Sequence, residues 1–344
     1  MDAHPLTFPW ETPPAPGEAA EVAPGLLWFR LPLPMALDHV NLYALDEGDG
    51  WTLIDSGMNW VKARAQMEQV LAGPMGGKPV RRVVLTHHHP DHIGLAGWLA
   101  EQGAEIVATR VAWLTARMLQ LDEQKRPVEA QKLFWRRAGM DPEIYEKRCN
   151  ERPFNFADMT VPLPLGFTRI EEGDAITMGG RRWRVRLGQG HAPDHATFWC
   201  EDEPVVLGGD QLLPSISPNL GVYPTEPEAD PVGEWLESCA RLAGHARDDQ
   251  LVLPGHKLPF TGLPARLVQM ADNHHTALAR LMEHLSATPG TAHECFEPIF
   301  GRQITGDAYG LALVEAVGHL NHLYVTGKVS REAGPDDAYV FRVV

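Results

Sequence analysis

The sequence predicts an α/β fold with its chemistry at strand ends, and three observations point there. Val80–Leu85 reads as a buried strand and Ile93–Leu99 as the start of a helix. Between them stands Thr86-His87-His88-His89-Pro90-Asp91-His92, which packs four imidazoles and a carboxylate into a strand-to-helix loop, where α/β folds carry function. Three later apolar runs also close on metal-capable residues: His191 follows Arg182–Leu187, Asp210 ends the run from Val205, and His256 ends the run from Leu251. Chance would scatter such residues rather than set each at the end of an apolar strand.

The other elements follow in order. Met1–Ala20 is rich in Pro, Glu and Ala and reads as a flexible arm. Strands are expected at Gly25–Leu31, Val40–Leu45 and Trp51–Asp55, with Gly48-Asp49-Gly50 as a hairpin turn. Asp55 precedes Ser56-Gly57 and has two readings: a turn former, or a carboxylate orienting a metal-binding histidine or its loop. Trp60–Leu71 is an amphipathic helix with Val61, Ala65, Glu68 and Leu71 at helical spacing. Glu105–Ala108 is a short strand. From Arg110 to about Met159 the βα rhythm breaks into helical segments, with Val111, Leu114, Met118, Leu121, Leu133, Phe134 and Trp135 as their apolar positions. This insertion reads as a packed helical hairpin, a homodimer surface, or a lid that shapes a substrate pocket. From Phe167 strands return, and Arg182–Leu187 alternates Trp183, Val185 and Leu187 inward with arginines outward. Beyond Pro264, helices at Leu267–Leu285 and Leu311–Leu323 precede strand-like Tyr324–Val329 and Ala338–Val344, an order that suggests a winged-helix module. His274, His275, His319 and His322 on those helices are expected in exposed or capping roles, and His39 at the surface.

Bulk properties narrow the function. The 344 residues suffice for one large domain and a small one. A formal net charge of −15 argues against nucleic acid, whose phosphates require a basic face. The segment from Arg266 onward is itself acidic, with 6 Lys/Arg against 9 Asp/Glu, which favours a structural or dimerising role for it. The four cysteines, Cys149, Cys200, Cys239 and Cys295, form no metal or disulfide pattern and read as free thiols of a reducing compartment. No signal peptide and no run of about 18 apolar residues is read in the chain, so a cytoplasmic protein with no membrane contact is expected.

Neutral imidazole and carboxylate are the usual ligands of zinc and similar divalent ions. In the spacing H-x-H-x-D-H, His87 and His89 can face one metal, and Asp91 and His92 a second. The set of Asp55, His87-x-His89-x-Asp91-His92, His191, Asp210 and His256, in this order, resembles the metallo-β-lactamase superfamily over about residues 20–262. The segment after it looks like the winged helix appended in a glyoxalase II-like branch, whose members include thioesterase-like, lactonase-like and RNA-cutting enzymes. The resemblance implies an αββα sandwich over residues 21–264, with the 110–159 insertion, followed by a winged-helix-like domain over 265–344. It also implies that His87, His89 and His191 hold one metal, that Asp91, His92 and His256 hold another, and that Asp210 bridges them. Asp55, His88 and His195 are placed beside the ligands. Asp194, next to His195, stands where the family usually has Gly.

Two such ions activate water at neutral pH. The implied activity is therefore a dinuclear hydrolase whose metal-bridging hydroxide attacks a small acyl ester, thioester or lactone, with Asp91 as proton acceptor. His89 in place of the glutamate of flavodiiron relatives favours Zn2+, with Mn2+ or Fe2+ as other occupants. A phosphodiesterase or ribonuclease shares the metal site but conflicts with the acidic charge. A mononuclear iron persulfide dioxygenase is the third reading. Leu213, three residues after Asp210, stands where quorum lactonases resemble one another in having Tyr.

Overall fold

The computed structural model describes residues 6–334 and 336–344. Strands β1 (Ala20–Ala23), β2 (Leu26–Pro32), β3 (His39–Asp46) and β4 (Trp51–Ile54) form an antiparallel meander. Helix α1 (Val61–Ala72) leads to β5 (Val80–Val84), and the short helices α2 (Pro90–Ile93) and α3 (Ala96–Glu101) lead to β6 (Glu105–Thr109). Helices α4 (Arg110–Leu121), α5 (Glu129–Arg137) and α6 (Pro142–Asn150) form the insertion. It returns to β7 (Thr168–Ile170), completing a seven-stranded sheet in sequential order with β4 to β7 parallel. The second sheet runs β12-β11-β10-β9-β8, built from β8 (Ala175–Met178), β9 (Arg181–Gly188), β10 (His195–Cys200), β11 (Val205–Gly209) and β12 (Leu251–Pro254). Helix α7 (Pro231–Ala243) crosses between β11 and β12, which pair in parallel. Helices α8 (Leu263–Ala287), α9 (Phe296–Phe300) and α10 (Tyr309–Val325) and the hairpin β13 (Val329–Ala333)–β14 (Tyr339–Val343) close the chain.

The strand sequences dictate the layering, because buried strands alternate side chains between two apolar environments. Trp28, Tyr43, Ile54, Val84 and Val107 of the first sheet meet Trp183, Val185, Phe198, Leu207 and Leu253 of the second. The opposite face of the first sheet, with Phe29, Leu42, Leu53, Val83 and Ile106, packs on α1 through Met67 and Val70 and on the short helices through Ile93 and Leu99. The opposite face of the second, with Trp199, Val206 and Val252, packs on α7, α8 and α10 through Trp235, Leu267, Leu281 and Leu320. The result is the αββα sandwich, and the C-terminal helices share one apolar cluster with its second sheet.

Several local expectations are corrected. The described part of the arm is docked rather than loose: Thr7 and Thr261 exchange backbone hydrogen bonds (3.3 and 2.9 Å), and Trp10 stands edge-on to Trp28 at 6.1 Å. Its first five residues lie outside the described ones. Helix α1 buries Ala63, Met67 and Val70, whereas Val61 is 82% exposed; the bulkier Met67 and Val70 take the core side. In α4 the small residues Ala112 and Ala116 are buried, and Val111, Leu114, Met118 and Leu121 line an exposed apolar stripe. The rest of the insertion is tied to the C-terminal helices. Phe134 and Trp135 join their apolar cluster, and Asp141 N–H donates to Tyr309 Oη at 2.9 Å.

His274 and His319 are buried, not exposed. His319 Nδ1–H donates to the Glu315 carbonyl (2.9 Å), so its Nε2 accepts from His274 Nδ1–H (3.2 Å). This pairing requires the accepting His319 ring to be neutral, and burial favours the neutral form of both. Burial, reinforced by the neighbouring imidazoles, lowers His274 to about 3; burial also lowers His319 to about 4. In the unfolded chain both would protonate near pH ~6.5, so below that pH the unfolded state binds more protons and stability falls with acidification. The loss extends from about pH 6.5 down toward the folded values of about 3 and about 4. Replacing His274 by Gln is expected to flatten the dependence of unfolding free energy between pH 6.5 and 4.5 by up to about 1.4 kcal/mol per pH unit. Urea unfolding across that range measures it, and an unchanged slope would contradict the assignment.

Candidate metal centre

All seven side chains expected to hold metal converge at one end of the two sheets. The loop after β5 carries His87 and His89, and α2 carries Asp91 and His92. His191 lies between β9 and β10, Asp210 follows β11 and His256 follows β12. Groups whose ligand atoms lie within 4.8 Å of one another are His87/His89/His191, His87/His92/Asp210 and Asp91/His92/His256. Asp210 spans the groups: its Oδ1 is 3.4 Å from His92 Nε2, and its Oδ2 is 3.5 Å from His191 Nε2 and 3.2 Å from His256 Nε2. Asp91 Oδ2 lies 3.5 Å from His92 Nε2 and 3.4 Å from His256 Nε2.

Hydrogen bonds on the far side of each ring fix which nitrogen points inward. His92 Nδ1–H donates to Asp55 Oδ2 (2.7 Å), His191 Nδ1–H to the Asn219 carbonyl (3.0 Å) and His256 Nδ1–H to the His39 carbonyl (2.7 Å). Thr86 Oγ1 donates to Asp55 Oδ2 (2.8 Å) and so accepts from His87 Nδ1–H (2.9 Å). In all four rings Nε2 is therefore the nitrogen aimed into the site, a lone pair whenever the ring is neutral. His87 Nε2 faces His89 Nδ1 at 3.0 Å. The buried His92 Nε2, His191 Nε2 and Asp210 Oδ1 have no hydrogen-bond partner. Buried polar atoms rarely stay unpaired, and lone pairs converging without donors suit a cation. The residues present thus fit divalent metal.

The electrostatics agree. Burial, followed by the surrounding imidazoles, pushes His87 well below its ordinary value, and burial does most of the same to His89. On the Asp210 side the balance reverses. Burial alone would lower His256, but Asp210 and Asp91 outweigh it and raise it to about 10. His92 likewise rises against burial because of Asp210, Asp91 and Asp55. Two carboxylates facing several imidazoles demand positive charge, which protons on His92 and His256 supply if no metal does.

Asp55 orients His92 and, through Thr86, His87, the second of its two readings. It adopts φ +64°, a conformation few non-glycine residues take, and its Oδ1 accepts from Thr86 N–H (2.8 Å). His195 is fully buried, stacks on His87 with ring centres 4.5 Å apart, and accepts Asp210 N–H on Nε2 (3.0 Å). Asp194 takes φ +53° and is bracketed by Gln189, whose amide bonds it twice at 3.0 Å; this is how an aspartate serves at that turn. His88 lies against His89, ring centres 4.6 Å apart, and burial lowers it to about 3; it makes no hydrogen bond to the expected ligands. Sequence reasoning missed three groups. Thr86 carried a signal, as the residue leading into the histidine run. The carbonyls of Asn219 and His39 carried none, because any residue has one. His39 is not a free surface side chain either, since its Nε2 accepts Lys257 N–H at 2.9 Å.

Gly255 lets the strand ends close. A Cβ there would collide with Asp210 Oδ1 and lie 2.9 Å from His92 Cε1. Gly255→Ala is expected to weaken metal affinity by about 10–100-fold, the scale for disturbed ligand supports, with an unchanged far-ultraviolet circular dichroism spectrum. Chelator competition measures it, and wild-type affinity in this variant would refute the packing argument.

Comparison with known proteins places the chain. The family model described as Metallo-beta-lactamase superfamily matches residues 35–256, and the one described as Metallo-beta-lactamase-like, C-terminal domain, matches residues 278–344. A probable metallo-hydrolase of Bacillus subtilis (strain 168), YqjP, is 30% identical over 304 residues, covering 86% of this chain and 91% of the relative. The crystal structure of a beta-lactamase domain protein from Burkholderia ambifaria is similar at TM-score 0.85 and 34% identity, covering 98% of this chain and 99% of that one. That of a metallo-beta-lactamase family protein from Thermus thermophilus is similar at TM-score 0.80 and 29% identity, covering 94% and 100%. With the fold, the site and these relatives in agreement, the chain belongs to the metallo-beta-lactamase superfamily and is a metal-dependent hydrolase.

Proposed function

We propose that the site binds two divalent ions, Zn2+ foremost, and hydrolyses a small acyl ester, thioester or lactone. The observation that carries the two-ion reading is Asp210, whose carboxylate lies 3.2–3.5 Å from imidazole nitrogens of His92, His191 and His256, and so faces both groups. His87, His89 and His191 would hold one ion; Asp91, His92 and His256 would hold the other, with Asp210 shared. Imidazole and carboxylate without thiolate suit zinc, with Mn2+ or Fe2+ as alternatives. Such a pair supplies an acidified water and a Lewis acid for the substrate's electrophilic oxygen.

The chain's own groups do the rest. Asp91 is the more open of the two carboxylates, with 18% of its side chain exposed against 8% for Asp210. It is therefore the group that takes a proton from the attacking water, while Asp210, buried and held through its own N–H by His195, fixes geometry. The rings cannot swing, because Asp55, Thr86, Asn219 and His39 hold their outer nitrogens, so the site is organised before substrate arrives.

An acyl substrate is favoured by charge and by surface. The net charge of −15 opposes phosphodiesters and RNA. Helix α4 starts beside the site, where Thr109 Oγ1 donates to the Asp194 carbonyl (3.4 Å), and offers exposed Val111, Leu114 and Met118. The acidic C-terminal segment argues against nucleic acid as a partner and leaves a second copy of the chain as the proposed one.

Elemental analysis of the saturated protein is expected to give two metal ions per chain; saturation at one would sink the shared-carboxylate reading. Asp210→Ala is expected to cut kcat by at least about 100-fold, the scale for losing a main electrostatic support, and turnover at the wild-type rate would refute its role. A panel of thioesters, lactones, p-nitrophenyl esters, phosphodiesters and RNA, run with zinc, manganese or iron, tests the substrate class. Hydrolysis confined to phosphodiesters or RNA would overturn the acyl assignment.

A further inference from the structure

Helix α10 holds the metal-site loop along one of its faces. The segment between β11 and α7 passes the site, and the Asn219 carbonyl in it accepts His191 Nδ1–H. That segment is fastened to α10 at helical spacing. Asn219 Nδ2 donates to the Leu311 carbonyl (3.1 Å) and to Glu315 Oε2 (2.8 Å), and Val222 N–H donates to the Val314 carbonyl (3.0 Å). Gly318 lets the Leu220 carbonyl pass, since a Cβ there would lie 2.6 Å from that oxygen. One turn on, Asn321 Nδ2 donates to the carbonyls of Pro227 (3.0 Å) and Ala229 (2.9 Å). Positions 311, 314, 315, 318 and 321 share one helix face.

Glu315 stands out on this face. Among the described residues it makes no ion pair, although it is half-buried. Burial raises it to about 7, partly opposed by the Asn219 amide. A carboxyl partly withdrawn from water without a cation is costly, and the side chain that bonds it, Asn219, belongs to the residue whose carbonyl fixes His191.

We propose that Glu315 is a positioning residue of the metal centre: through the Asn219 side chain it holds the carbonyl that orients His191. The C-terminal helices thereby take part in metal binding although none of the expected ligands lies on them. This rests on the reading of His191 as a ligand. Loss of the Glu315 oxygen frees Asn219 to turn, the His191 ring loses its fixed tautomer and direction, and one of the two ions is held less well.

The full chain loaded with cobalt(II) tests this through its visible absorption and through chelator competition. Glu315→Ala is expected to weaken one cobalt site by about 10–100-fold and to shift its absorption bands, the other site being unchanged. Glu315→Gln, which retains an acceptor oxygen, is expected to restore affinity and bands. Asn219→Ala, which removes a half-buried polar side chain that is not itself part of the apolar core, is expected to reproduce Glu315→Ala, and the double variant to be no worse than either single one. Wild-type bands and affinity in both alanine variants, additive losses in the double variant, or failure of Glu315→Gln to rescue would each overturn the proposal. The prior reading fails differently: His191→Ala would then leave both cobalt sites intact in an otherwise wild-type chain.

Discussion

Asp55 is the constraint on which the site depends. A carboxylate at the end of a buried strand cannot be left without donors, and Asp55 collects three: Thr86 N–H, Thr86 Oγ1–H and His92 Nδ1–H. Those bonds join β4 to the loop after β5 and to α2, and they set the protons of two rings at once. The backbone reinforces the joint, since Ser56 N–H and Oγ–H donate to the His92 carbonyl at 2.6 and 2.9 Å. The φ of +64° at Asp55 is the conformational cost of aiming one side chain at both neighbours.

Around that joint, each imidazole is oriented by an acceptor of different origin: a side chain for His87 and His92, a backbone carbonyl for His191 and His256. The β12 end is anchored separately. Asn41 Nδ2 and Tyr43 Oη both donate to the Pro254 carbonyl at 2.8 Å, and Arg30 bonds Asn41 at 2.9 Å. His256 is thus delivered by the first sheet although its strand belongs to the second. The sandwich is needed as a whole, because the converging side chains come from the ends of both sheets and His256 of the second is held by the His39 carbonyl of the first.

Legibility in the sequence followed how local each signal was. The histidine run, Asp210 and His256 were readable because each sits at the end of an apolar strand, and a strand end fixes position within two or three residues. Strands β2 to β6 were readable for the same reason. The buried face of α1 was misjudged because several registers of an amphipathic dodecamer bury comparable apolar area, and only contact with β2 chooses Met67 and Val70. The α4 stripe was left open between a packed, a dimerising and a lid role because periodicity reports an apolar face without saying whether anything covers it. His274 and His319 were expected in exposed or capping roles because their buried pairing joins residues 45 apart in the chain, on two different helices.

The same distinction separates metal capture from substrate choice. Metal capture uses residue types that few structural roles demand, at spacings set by strand geometry, so composition and order suffice to find it. In the proposed reading, substrate choice falls to surfaces made by tertiary contact: the exposed side of α4, the loop around Asn219, and the face of α10 beneath it. No residue type on those surfaces is unusual, and their meaning comes from what they are pressed against. Glu315 illustrates the point. In the sequence it is one of 45 acidic residues, and only its hydrogen bond from Asn219 connects it to His191, more than a hundred residues earlier in the chain.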